Sequence, residues 1–85
     1  MPYFFPLILI VGITMDRTLS LKLLGNRIKS IRTSKDFTQV QLAEVCGLNR
    51  NYIGMLERGE RNPTYITLIR IAQLLKIPLS ELVGD

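Results

Sequence analysis

The 85-residue sequence contains no histidine, no tryptophan and a single cysteine, Cys46. One cysteine excludes an internal disulfide framework, and without histidine an ordinary zinc ligand set is missing. The same shortage removes the Ser-His-Asp and Cys-His nucleophiles of hydrolytic enzymes. No catalytic constellation is left, so an enzyme is not expected, nor a metal or cofactor. Acidic residues are also few: 7 against 11 Lys and Arg, a net charge of +4. That excess suits an anionic partner. Hydrophobic residues make up 47% and charged residues 21%, the composition of a folded domain rather than a disordered segment. A chain this short buries only ~60–65% of its unfolded surface on folding, which makes it one small domain of marginal stability.

The positive charge is concentrated. Arg17, Lys22, Arg27, Lys29, Arg32, Lys35, Arg50, Arg58 and Arg61 face only Asp36, Glu44, Glu57 and Glu60 across the same stretch, and the flanks are nearly neutral. Before it, residues 2–13 read PYFFPLILIVGI without a charge. A membrane-spanning helix needs ~20 apolar residues, and Asp16 and Arg17 end this run too early. A signal peptide would carry basic residues ahead of the apolar run and a small-residue cleavage site after it. Leu7-Ile8-Leu9-Ile10-Val11 is rich in branched aliphatics, and its length suits a strand better than a helix. Residues 1–18 are therefore set apart as an apolar N-terminal arm, with Met15 as an alternative start, and residues 19–85 as the folded domain. The arm is expected to associate subunits, since six large aliphatics, Leu7 to Val11 and Ile13, are too much apolar surface to leave in water.

From Ser20, a candidate N-cap, the period becomes helical. Leu21, Leu24, Ile28 and Ile31 form one stripe. Thr38-Gln39-Val40-Gln41 is a capping box that opens a second helix through Cys46, and Gly47 sits where a left-handed cap belongs. Asn49 caps a third helix that runs to about Arg58 and stops at Gly59. Thr64 caps a fourth helix with the stripe Leu68, Ile71, Ala72 and Leu75, and Leu79 to Val83 makes a short fifth.

Two helices joined by a tight glycine turn form a helix-turn-helix candidate. The third helix sharpens it. With Ile53 and Leu56 turned inward, Asn51, Gly54, Met55 and Arg58 face away, and Arg50 sits at the exposed N-terminal edge. A plain solvated face would favour lysine and glutamate. Gly54 costs ~1 kcal/mol relative to alanine in a helix, a cost that fits close approach by a neighbouring surface.

The run Thr38-Gln39, Leu42-Ala43, Gly47, Asn51-Tyr52-Ile53, Leu56-Glu57-Arg58-Gly59 and Arg61-Asn62-Pro63 resembles the phage-repressor-like (Cro/repressor, XRE-type) helix-turn-helix family over about Leu23 to Val83. Within it, Asn49 to Gly54 and Glu57 to Asn62 are most similar to the controller proteins of restriction–modification systems. The apolar arm has no counterpart in that pattern. The resemblance implies an all-α, five-helix, lambda-repressor-like DNA-binding domain, here with an N-terminal extension. It implies that the third helix lies in the major groove. Arg50 and Asn51 would then read base edges and Met55 would make apolar contact. Thr38, Gln39, Tyr52 and Arg61 would hold the DNA backbone. Arg32 and Glu57 would form a structural ion pair, and Cys46 would pack as a small apolar residue.

The expected function is sequence-specific regulation of transcription. A cytoplasmic homodimer, or a tetramer built on it, would bind a duplex DNA operator of two-fold or near two-fold symmetry, without a small-molecule effector. The resemblance also implies an association surface near Leu75, Ile77, Leu79, Leu82 and Val83. A prophage repressor or antitoxin-type regulator is an alternative of the same class. A membrane-tethered or protein-interaction module is one of another class, which would pellet with membranes rather than shift duplex DNA.

Overall fold

The computed structural model describes residues 4–84, with side chains from Arg17 onward. Five helices follow one another: α1 (Phe4–Ser34), α2 (Gln39–Cys46), α3 (Arg50–Glu57), α4 (Tyr65–Leu75) and α5 (Leu79–Val83). The described residues include no strand.

Two expectations about the N-terminal part are overturned. Leu7 to Val11 is helical, and Ser20 lies inside α1 rather than capping it. The reason is physical. Pro6 falls in the first turn, where its missing N–H has no intrahelical partner to lose. Gly12 weakens a helix without ending it. Extending an existing helix needs no new nucleus and pairs the backbone groups it adds, apart from the N–H groups of the first turn, whereas a lone strand leaves its N–H and C=O groups unpaired.

The starts of α2, α3 and α4 are set by side chains. Thr38 Oγ1 accepts from Gln41 N at 3.0 Å, while Gln41 Oε1 accepts from Thr38 N at 2.9 Å, a reciprocal capping box. Asn49 Oδ1 accepts from Asn51 N at 2.7 Å. Thr64 Oγ1 accepts from Thr67 N at 3.1 Å. The ends share one device, a left-handed residue followed by a reversed hydrogen bond. Gly47 (φ 67°) and Gly59 (φ 76°) supply it after α2 and α3. There Leu48 N donates to Ala43 O and Glu60 N donates to Met55 O.

The helices pack around Ile28, Leu42, Cys46, Ile53, Leu56, Ile71, Leu75 and Leu82, all essentially without solvent exposure. α1 and α2 both pack on α3, while α5 closes against α1 and α4. Leu75 and Leu82 are core residues at 0% exposure, so they cannot form the association surface expected near them. Of that group Ile77 and Leu79 are partly buried and Val83 is 46% exposed. Among the described side chains, the apolar ones most open to solvent are instead Tyr65 and Ile66 at the start of α4.

Where α1 crosses the end of α3, the backbones nearly touch at Gly25. A Cβ there would run into the carbonyl oxygens of Leu56 and Glu57. This contact lets the first helix seat directly on the third.

Candidate nucleic-acid interface

The turn Gly47-Leu48-Asn49 holds α2 and α3 in fixed relation, because Leu48 packs on the core between the two caps. α3 then presents two unlike faces. Ile53, Leu56 and Glu57 are buried; Arg50, Asn51 and Arg58 are exposed, and Met55 is half-buried. Arg50, Asn51, Gly54, Met55 and Arg58 line a groove of about 400 Å³ with Gln39 and Glu60. The structure thus gathers Arg50, Asn51, Met55 and Gln39 at one place. Thr38 stands one residue from Gln39 at the opening of α2. Because Thr38 Oγ1 is the acceptor in its capping bond, its own hydrogen remains available to a second acceptor.

Beneath this groove lies a buried carboxylate. Glu57 receives Arg32 Nε at 2.6 Å on Oε2 and Arg32 Nη2 at 3.0 Å on Oε1. Gln39 Nε2 adds a third bond at 3.0 Å to Oε1. Arg32 Nη1 also donates to the Phe37 carbonyl at 2.7 Å. Arg32 and Glu57 are 7% and 6% exposed, and no buried side-chain nitrogen or oxygen among the described residues lacks a partner. Such a pair fixes geometry more than it adds stability, since desolvation offsets most of its attraction. Here it ties α1, α2 and α3 together and fixes which way the Gln39 amide points.

Tyr52 and Arg61 lie together outside the groove lining. The Arg61 guanidinium stands 5.4 Å from the centroid of the Tyr52 ring, a cation–π contact. Tyr52 is half-buried and Arg61 exposed, so the ring packs while the charge faces solvent.

Two groove residues received no role from the sequence reading: Arg58, which it turned outward with Asn51 and Met55, and Glu60, which it did not place. Arg58 Nε and Nη2 donate to Glu60 Oε2 and Oε1 at 3.0 and 3.2 Å. That hydrogen-bonded pairing holds the Glu60 carboxyl below its ordinary range and the Arg58 guanidinium above its own. The available signal was the helical spacing that turns Arg58 to the same side as Asn51 and Met55. Cys46 is apart from the groove, 2% exposed, and burial pushes its thiol up against the opposing pull of Arg70. Among the described residues no cluster fit to hold a metal ion occurs, and no helix is long and apolar enough to cross a membrane.

A short helix set at a fixed angle by a glycine turn, with a polar groove on its outer side, defines a helix-turn-helix protein. The chain belongs to the helix-turn-helix family, which matches residues 28–82. It is 46% identical over 61 residues to the immunity repressor protein of Bacillus phage phi105, covering 72% of this chain and 42% of that repressor. It thus spans less than half of that relative. It is 43% identical over 61 residues to control protein C.SmaI of Serratia marcescens, covering 72% of this chain and 73% of that protein. Among solved structures it is similar to the restriction-modification controller protein C.AhdI from Aeromonas hydrophila. The TM-score is 0.71 at 39% identity, over 73% of this chain and 94% of that one.

Proposed function

We propose that this protein binds duplex DNA sequence-specifically as a homodimer and regulates a restriction–modification operon that includes its own gene. The observation that carries the reading is the outer side of α3, where Arg50, Asn51 and Met55 open onto one groove beside the start of α2. Arg50 offers paired donors to guanine O6 and N7, Asn51 pairs with adenine N6 and N7, and Met55 lies against a thymine methyl. Thr38, Gln39, Tyr52 and Arg61 hold the DNA backbone on either side and set the register. The likeness to C.SmaI and C.AhdI supports the controller role. The higher identity to the phi105 immunity repressor supports a second reading, a phage repressor acting by the same contacts. The DNA-binding unit on either reading is residues 19–85, and the arm of residues 1–18 adds to self-association.

The test begins with duplexes selected by the protein from a randomised pool. A two-fold site with half-sites about one helical turn (~34 Å) apart is expected. Single-base variants of that site are then titrated with wild type and Arg50→Ala. Arg50→Ala should lose ~1–3 kcal/mol and flatten discrimination at one base pair. Equal affinity of the wild type for every duplex would overturn the reading.

A further inference from the structure

Arg58 and Glu60 are the two groove residues to which no role has yet been given. Their pairing is side-on: Nε and one Nη2 hydrogen of Arg58 are held by the two oxygens of Glu60. A guanidinium has five N–H donors in a planar fork. Side-on capture therefore leaves the end-on edge, formed by Nη1 and the other Nη2 hydrogen, turned away from Glu60. Its Nη1 end lies close to the helix backbone. A Cβ on Gly54 would come within 3.2 Å of Arg58 Nη1 and 3.7 Å of Gln39 Oε1. Arg58, anchored at the end of α3, thus folds back one turn and lays Nη1 over the bare backbone of Gly54, in the lining of the groove. Without a side chain at Gly54 there is room for it.

An exposed ion pair of this kind contributes little to stability; the two side chains are 60% and 52% exposed. A carboxylate facing DNA also repels phosphate. Its presence in the groove is explained by orientation rather than by stability or attraction. We propose that Arg58 is a second base-reading arginine, aimed by Glu60 and admitted by Gly54, whose end-on edge donates to O6 and N7 of a guanine in the major groove. Glu60 is a positioning residue: it aims Arg58 and lowers affinity for arbitrary duplex. The inference rests on the DNA-binding reading above and adds to it a specificity residue distinct from Arg50.

The test uses the full chain and the selected duplex. Each guanine is replaced singly by the other bases and by 7-deazaguanine, which lacks the N7 acceptor. Arg58→Ala should lose roughly 5- to 150-fold of discrimination at one base pair, other than the one read by Arg50, the span expected of a bidentate contact. The 7-deazaguanine penalty at that position should vanish in the variant. Arg58→Lys keeps the charge but not the fork, and should lose most of the discrimination while retaining affinity for random duplex. Glu60→Ala should weaken discrimination at the same base pair and tighten binding to random duplex, with an unchanged unfolding midpoint. If Arg58→Ala weakens every duplex alike, Arg58 is a phosphate ligand and the inference fails. If Arg58→Ala changes nothing, or Glu60→Ala leaves discrimination intact, the corresponding role is also refuted. A wild-type protein that binds no duplex would instead overturn the DNA-binding reading itself, which separates the two failures.

Discussion

Gln39 Nε2 donates to Glu57 Oε1 at 3.0 Å, so the first residue of α2 is bonded to the last residue of α3. The same carboxylate holds Arg32 of α1. One buried charge therefore fixes the mutual placement of the three helices on which the proposed DNA contacts stand. Disturbing it is expected to reach stability and recognition together.

Glu57→Ala leaves Arg32 buried without its partner, and breaking a buried pair costs ~3–5 kcal/mol. The unfolding midpoint in urea should fall accordingly. Replacing Arg32 and Glu57 together with apolar residues of similar size should recover part of the loss. A midpoint unchanged in Glu57→Ala would contradict the burial seen here.

Gln39→Ala removes one neutral donor from a carboxylate that keeps two others. A loss of ~1.5–3 kcal/mol is the range for a hydrogen bond to a charged group. In duplex titrations the same variant should weaken all sequences alike, because its proposed DNA contact is to phosphate. Loss of discrimination at a single base pair would place Gln39 among the base readers instead.

Gly25→Ala and Gly54→Ala make an informative pair, since both glycines lie inside helices. At Gly25 the added methyl meets backbone carbonyls that cannot move without separating α1 from α3. A cost of ~1–3 kcal/mol or more is expected from such overpacking. At Gly54 the nearest atoms belong to the flexible end of Arg58. There the helix gains up to ~1 kcal/mol from alanine's propensity, and only recognition should suffer. Thermal unfolding of both variants checks the contrast.

Cys46 should resist alkylation in the folded protein and react quickly in denaturant, because burial raises its thiol above the ordinary range. The sign of the linked pH effect follows. Below the ordinary thiol range both states keep the proton and stability is unaffected by it. As pH rises through that range the unfolded chain releases a proton that the folded chain retains, so stability falls. Cys46→Ala should remove this alkaline slope.

The arm is expected to add to self-association. The 85-residue chain and a version beginning at Met15 should differ in mass by light scattering at micromolar concentration, the longer one forming the larger assembly. Identical masses at every concentration would remove the arm from assembly. Leu19 and Leu23, one turn apart on α1 and each about half exposed, extend the apolar character of this helix into the described side chains.

The starts of α2, α3 and α4 and the ends of α2 and α3 were legible residue by residue, because their punctuation is local. A threonine or asparagine cap and a left-handed glycine act within four residues of themselves, so Thr38, Asn49, Thr64, Gly47 and Gly59 mark their helices in the bare sequence. The arm was misread for the same reason. The branched aliphatics Leu7 to Val11 look like a short strand in isolation, but whether they join a helix depends on where that helix begins, and that is not a local property. Nothing in the sequence fixed a start at Phe4.

The sequence by itself determined the helix-turn-helix pattern, the outward set Arg50, Asn51 and Met55, and the basic middle of the chain, since all follow from helical period and composition. Only the tertiary structure decided the rest. It placed Leu75 and Leu82 in the core rather than on a surface, because which side of an apolar stripe is covered depends on where α5 docks. It brought Gly25 against Leu56 and Glu57, residues more than thirty positions away, for which backbone clearance is the sole determinant. It turned Arg58 back over Gly54 beside Glu60, because the reach of a long side chain is set by what surrounds it and not by the period of the helix that bears it.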